Sequence, residues 1–168
     1  MRCLYVLFLM LLCCSTVQGH ERIRIVTEPF PPYFSPALPH NGWLAHIVHE
    51  AFSLQDIDTS FDFTLWSRAL NSSKKYQGVV LLGSYKTPSR VRSYLFSCEV
   101  AQTNTGLFRH RNNGANFTGN LALLNDSILV TGRGYAIDTK ILKQLNTDVL
   151  EVPSIQKALE LLANDRVD

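Results

Sequence analysis

Arg90, in the run Thr87-Pro88-Ser89-Arg90, follows closely on an apolar stretch, Gly78-Val79-Val80-Leu81-Leu82-Gly83, that reads as a strand buried on both faces, as in a parallel sheet. A guanidinium at such a strand-to-helix junction offers a planar fork of donors that matches a carboxylate two bonds at a time. A lysine lacks that geometry. Ligands of open α/β sheets sit just beyond the carboxyl ends of the strands, so Arg90 is the first candidate for gripping a small anion. The competing role is that of a solvated arginine near the start of a short helix.

Other residue types could contribute to the same site. Phe30, Tyr33 and Trp66 could form aromatic walls around a small molecule or pack in a core. Thr131-Gly132-Arg133-Gly134-Tyr135 follows an expected strand and precedes a helical segment, a setting in which backbone N–H groups cradle an anion. As a nucleotide fingerprint it fails, because Ile137 stands where a third small residue is needed. His46, His49 and Glu50 share a helix face, with His40 nearby, but their order matches neither zinc-protease motif. They read as the solvated side of a helix whose apolar face is Trp43, Leu44, Ile47, Val48 and Ala51. No serine-histidine-acid set and no general acid-base pair stands out.

The elements that must position these groups alternate. Strands are expected over 22–27, 61–64, 78–82, 94–96, 105–109, 127–130 and 149–152, and helices over 43–54, 68–73, 139–144 and 154–164. Ser154 is the expected N-cap of the last helix, whose apolar positions are Ile155, Ala158, Leu159, Leu161 and Leu162. Such alternation implies parallel sheets with crossover helices. The run 103–110 is the expected crossing between two lobes, and the polar run 111–116 has loop composition.

Composition sets the class. With 46% hydrophobic and 18% charged residues the chain is an ordinary globular one, neither disordered nor polytopic. The net charge of +2 falls to +1 with loss of a leader carrying Arg2, and no basic run with interleaved aromatics suggests nucleic acid. That leader has a positive start at Met1-Arg2, an apolar stretch over 3–14 and small residues at Val17-Gln18-Gly19, which predicts a signal peptide over 1–19 and a mature start at His20. Three of the four cysteines lie in the leader, leaving Cys98 alone; it is expected as a small buried apolar residue, the alternative being a disulfide partner beyond Asp168.

Several motifs in one order carry a resemblance. These are Ile23-Arg24-Ile25-Val26-Thr27 with Phe30-Pro31-Pro32-Tyr33, Gly42 before the helix at Trp43, and Trp66-Ser67-Arg68-Ala69-Leu70. They continue with the Gly78 run, Thr87-x-x-Arg90 and Phe96-Ser97, and end in the leucine-rich helix before Arg166-Val167-Asp168. Over about 23–168 the chain resembles the bacterial extracellular solute-binding proteins of family 3, the polar amino-acid binders of ABC uptake systems. The resemblance implies an α/β periplasmic-binding-protein type 2 fold of two lobes with parallel-rich sheets flanked by helices. Lobe 1 would span 20–106 and an incomplete lobe 2 would span 107–168, as in a chain that stops early.

It also implies roles. Phe30 and Trp66 match positions where the family sandwiches its ligand. Gly83 and Tyr85 match positions offering hydrogen bonds beside the arginine, here from the backbone, since serine or threonine is common there. The turn at Gly132 would cap the ligand's carboxylate from lobe 2, and Arg133 would add a positive charge that, with Arg90, favours a strongly acidic ligand. The implied protein is a monomeric, non-catalytic binder of an amino acid or related carboxylate, without cofactor or metal. It would be periplasmic or secreted and would serve an inner-membrane ABC permease. The same fold also resembles ligand-sensing modules of signalling proteins and periplasmic enzymes, dehydratases or lytic-enzyme modules, which fold alone does not separate. The family's acidic partner for a ligand amine would follow the strand beginning near Asp168, beyond this sequence.

Overall fold

The computed structural model describes residues 22–111, 119–137, 141, 144, 145 and 149–168. The expected leader lies outside the described residues, as do most of the polar run 111–116 and most of the expected helix over 139–144.

Strand β1 (Arg22–Thr27) is the middle strand of a three-stranded parallel sheet, flanked by β2 (Asp58–Phe63) and β3 (Val79–Leu81). The register sets Ile25 opposite Phe61 on one side and Val80 on the other. Consecutive strand residues point to opposite faces, so the fully buried neighbours Ile25 and Val26 belong to two separate cores. Ile25 packs with Phe34, Leu44, Ala45 and Leu82, under helix α1 (Trp43–Ser53). Val26 packs with Trp66 and Ala69 of helix α2 (Trp66–Lys75), on the other face. Parallel strands need crossover connections, and these two helices supply them. The strand buried on both faces is therefore β1 and not the Gly78 run. Among the described residues β3 pairs only with β1 and is half-buried.

Helix α1 is rotated relative to expectation. Leu44 and Ala45 are buried, and Val48 and Phe52 pack on the same core, whereas Trp43 and Ile47 are half-exposed and Ala51 is exposed. The stripe repeating every three to four residues from Leu44 is the one that meets the sheet. His49, expected on the solvated side, faces β2, with its Nδ1 2.7 Å from Thr59 Oγ1.

After β3 comes the short helix α3 (Pro88–Val91), then a long segment without regular structure. The strands expected over 94–96 and 105–109 do not form. Leu95 is fully exposed and Phe108 is 76% exposed, so these apolar residues have no sheet to join. Cys98, expected buried, is exposed in the same segment. A second parallel sheet pairs β4 (Leu129–Gly132) with β5 (Val149–Val152). Helix α4 (Ile155–Ala163) follows, with Ser154 Oγ accepting the Lys157 N–H at 3.2 Å as the expected N-cap. Its inward face is Ala158, Leu161 and Leu162, while Ile155 and Leu159 are exposed. The chain then returns beside the start of β4. The Ile128 N–H donates to Asp168 Oδ2 at 2.8 Å, and the Asp168 N–H donates to Ile128 O at 3.1 Å.

Candidate functional site

Arg90 is positioned by the turn that follows β3. Gly83 has φ +83°, and a Cβ there would stand 2.5 Å from Phe34 Cζ, so glycine alone lets the backbone pass over that ring. Thr87 Oγ1 then accepts the Arg90 N–H at 3.3 Å and starts α3. The guanidinium reaches back over the turn: Nη1 donates to Ser84 Oγ at 3.3 Å and to Tyr85 O at 3.2 Å. Nη2 crosses to the second sheet and donates to Gly134 O at 2.9 Å. These three acceptors are uncharged, so none of them neutralises the arginine. Its Cζ lies 5.4 Å from the centre of the Trp66 ring, which adds a cation–π attraction. Burial lowers the guanidinium pKa, with Tyr94 opposing, yet it stays a cation.

Trp66 is the first residue of α2 and is buried against Val26 and Ala69. Its indole Nε1–H donates to Gly134 O at 3.0 Å, the same oxygen that Arg90 uses. The Tyr135 ring meets the indole edge-on at 87°, with centroids 6.4 Å apart. Glu28, the first residue after β1, is 7% exposed. Its carboxylate accepts the Tyr135 O–H at 2.6 Å and a hydrogen bond from the Trp66 backbone N–H, at the open N-terminus of α2. Burial raises the Glu28 pKa above the ordinary carboxylate range, and these two hydrogen bonds pull it partly back. Tyr135 is pushed up as well, by burial first and then by Glu28, and keeps its proton at neutral pH.

The residues singled out from sequence are placed as follows. Arg90, Trp66, the Tyr85 carbonyl and the 132–135 turn come together. Gly83 shapes the turn under Arg90. The Tyr85 side chain is half-exposed, and its hydroxyl meets Thr103 Oγ1. Phe30 stacks on Tyr33 at 5.5 Å and packs on the Ile25 core, whereas Trp66 packs on the Val26 core across the sheet. Gly132 is buried under the Tyr135 ring, which a Cβ would approach to 2.9 Å. Arg133 is exposed, and its backbone N–H donates to Val152 O at 2.7 Å. Sequence reasoning missed Glu28 and Ser84, and it named Gly134 and Tyr135 only within a turn whose backbone N–H groups would cradle an anion, whereas here the Gly134 carbonyl and the Tyr135 hydroxyl make the contacts. The signal for Glu28 was present: it follows directly on the carboxyl end of a central strand, where ligand-site residues gather.

The histidines form no comparable site. His40 stacks on His46 at 4.6 Å, and His46 Nδ1 stands 3.6 Å from Glu50 Oε1. Among the described residues no group of three His, Cys, Asp or Glu could hold a metal ion. An open depression of about 620 Å³ lined by Asn125, Ile128, Val149 and Leu150 contains none of the site residues.

Two parallel sheets flanked by helices, joined by contacts of Arg90, Trp66 and Tyr135, have a periplasmic-binding-protein type 2 fold. The solved structures similar to this chain have that fold. An arginine third transport system periplasmic binding protein from Legionella pneumophila superposes with TM-score 0.74 at 17% identity, over 88% of this chain and 66% of that one. A Salmonella typhimurium periplasmic binding protein of high arginine specificity gives 0.62 at 17% identity, over 88% and 66%. An ancestral arginine-binding protein bound to glutamine gives 0.66 at 15% identity, over 88% and 67%. This chain thus spans about two thirds of the length of each. No family profile and no curated protein sequence matches the chain.

Proposed function

We propose that this chain is a non-enzymatic solute-binding protein that closes two lobes on an amino acid or related carboxylate and presents it, as a periplasmic monomer, to an inner-membrane ABC permease. The observation that carries this reading is the Arg90 guanidinium. It is preset after the end of β3 by Ser84 and Tyr85, and it aims Nη2 at the facing turn, where an uncharged carbonyl is the acceptor. A carboxylate in place of that carbonyl would add a full opposite charge and could take two parallel N–H bonds from the guanidinium. Closure then follows from contacts that a ligand makes to both lobes at once.

Glu28 refines the ligand class. Glu28 and Arg90 grip neighbouring residues of one turn, Tyr135 and Gly134, so the site offers an acidic and a basic group, which suits a zwitterion better than the strongly acidic ligand suggested by Arg133, whose side chain is exposed. The neighbouring structures named for arginine and glutamine binding support an amino acid.

A thermal-shift screen of the full chain against amino acids, dicarboxylates and polyamines, with Arg90→Ala as control, tests the reading. A ligand at a hundred times its dissociation constant adds about 2.7 kcal/mol. The expected result is a selective shift with an amino acid that Arg90→Ala abolishes. A shift that survives Arg90→Ala, or none with any compound, counts against it.

A further inference from the structure

Resting on that reading, we propose that Tyr135 is a specificity-determining residue. With the Gly134 carbonyl it occupies both polar anchor points of the site in the free protein, so a ligand enters only by bringing its own oxygen for Arg90 and its own cationic or N–H donor for Glu28.

The geometry is that of a ligand supplied by the chain itself. Gly134 O accepts from Arg90 Nη2 at 2.9 Å and from Trp66 Nε1 at 3.0 Å, so both of its lone pairs are used. One residue on, the Tyr135 O–H donates to Glu28 Oε2 at 2.6 Å. An acceptor oxygen held by a cation and a donor held by a carboxylate are the polar pattern of a zwitterion. The turn is shaped to deliver them. Gly134 has φ +78°, a backbone angle that side-chain-bearing residues rarely adopt, and a Cβ there would stand 2.9 Å from Leu70 Cδ1, which would have to shift.

Displacing the turn leaves both anchors needing partners. Glu28 is buried and keeps only the Trp66 backbone N–H when Tyr135 leaves, and a buried carboxylate that loses a donor costs more than the bond itself. A simple carboxylate such as acetate can satisfy Arg90 but not Glu28, and a polyamine can satisfy Glu28 but not Arg90. Tyr135 therefore discriminates by what a ligand must replace, in addition to what it can touch.

The test compares the full chain with Tyr135→Phe and Tyr135→Ala, in a Trp43→Phe background that leaves Trp66 as the one indole of the two in the sequence. Without ligand, solvent exchange of the Trp66 indole proton is followed by NMR, with circular dichroism to confirm folding. The expected result is protection in the parent and exchange faster by about tenfold or more in the variants, the size of one hydrogen bond to a charged group. Equal exchange in all three overturns the proposal. L-arginine, L-glutamine, acetate and putrescine are then titrated. Tyr135→Phe is expected to bind an amino acid several-fold more tightly and to gain measurable affinity for acetate. Where the parent binds either amino acid, unchanged or weaker binding by Tyr135→Phe overturns the proposal too. Slowed exchange in the parent with no binding of either amino acid to any of the proteins upholds the self-occupied site and counts against the amino-acid reading alone.

Discussion

The carboxylate of Glu28 and the hydroxyl of Tyr135, 107 residues apart in the chain, meet at 2.6 Å and tie the end of β1 to the turn after β4. Both groups lose solvent in doing so, and the carboxylate bears the larger consequence because it carries the charge.

Glu28 makes stability depend on pH. Its pKa is raised in the folded chain, chiefly by burial. The native state therefore holds a proton that the unfolded chain releases. The resulting stability is fully present below the ordinary glutamate value of about 4.3 and is lost as pH rises through the raised folded value. Melting temperatures measured from acid to neutral pH should fall for the parent relative to Glu28→Gln, whose amide does not titrate. Parallel curves would show that Glu28 is not desolvated.

Gly83→Ala should destabilise the fold by about 1–3 kcal/mol. It would place a methyl against the Phe34 ring at a backbone angle of +83°. Urea unfolding reads the cost. A loss below about 0.5 kcal/mol, the scatter of ordinary surface changes, would mean that the ring yields.

Arg90→Lys should fail to rescue Arg90→Ala. A lysine has one ammonium and cannot span Ser84 Oγ, Tyr85 O and the facing acceptor as a planar fork does. Calorimetric titration with the amino acid that binds best should show at least about a tenfold weaker affinity in both variants. Full affinity in the lysine variant would reduce Arg90 to a point charge.

The two helix histidines should separate. His49→Ala removes a hydrogen bond to Thr59 and should cost about 0.5–1.5 kcal/mol. His46→Ala, on the outer side, should stay within about 0.5 kcal/mol. Denaturant midpoints at neutral pH decide, and the reverse order would contradict the rotated face of α1.

How far the sequence reaches can be judged from these same residues. β1 and β5 have the expected bounds, because each carries a pattern that packing reinforces. Residues 94–96 and 105–109 look equally strand-like, yet strand preference measures the fit to a pleated surface, and here no neighbouring strand provides one. Arg90 was legible because a local run surrounds it with a strand and a helix start. The Glu28–Tyr135 contact was not, since no periodicity links residues brought together only when two sheets meet. The same holds for α1. Its apolar residues outnumber one face, and only the packed sheet selects Leu44, Ala45 and Val48 over Trp43 and Ile47.

The carbonyl of Gly134, with both lone pairs taken by Arg90 and Trp66, also sets a clock. On the proposed reading, a solute arriving from outside finds no vacancy until that oxygen lets go, so capture would begin with a spontaneous opening that the solute cannot hasten. At high concentration the observed association rate would level off at the opening rate instead of climbing with every added molecule.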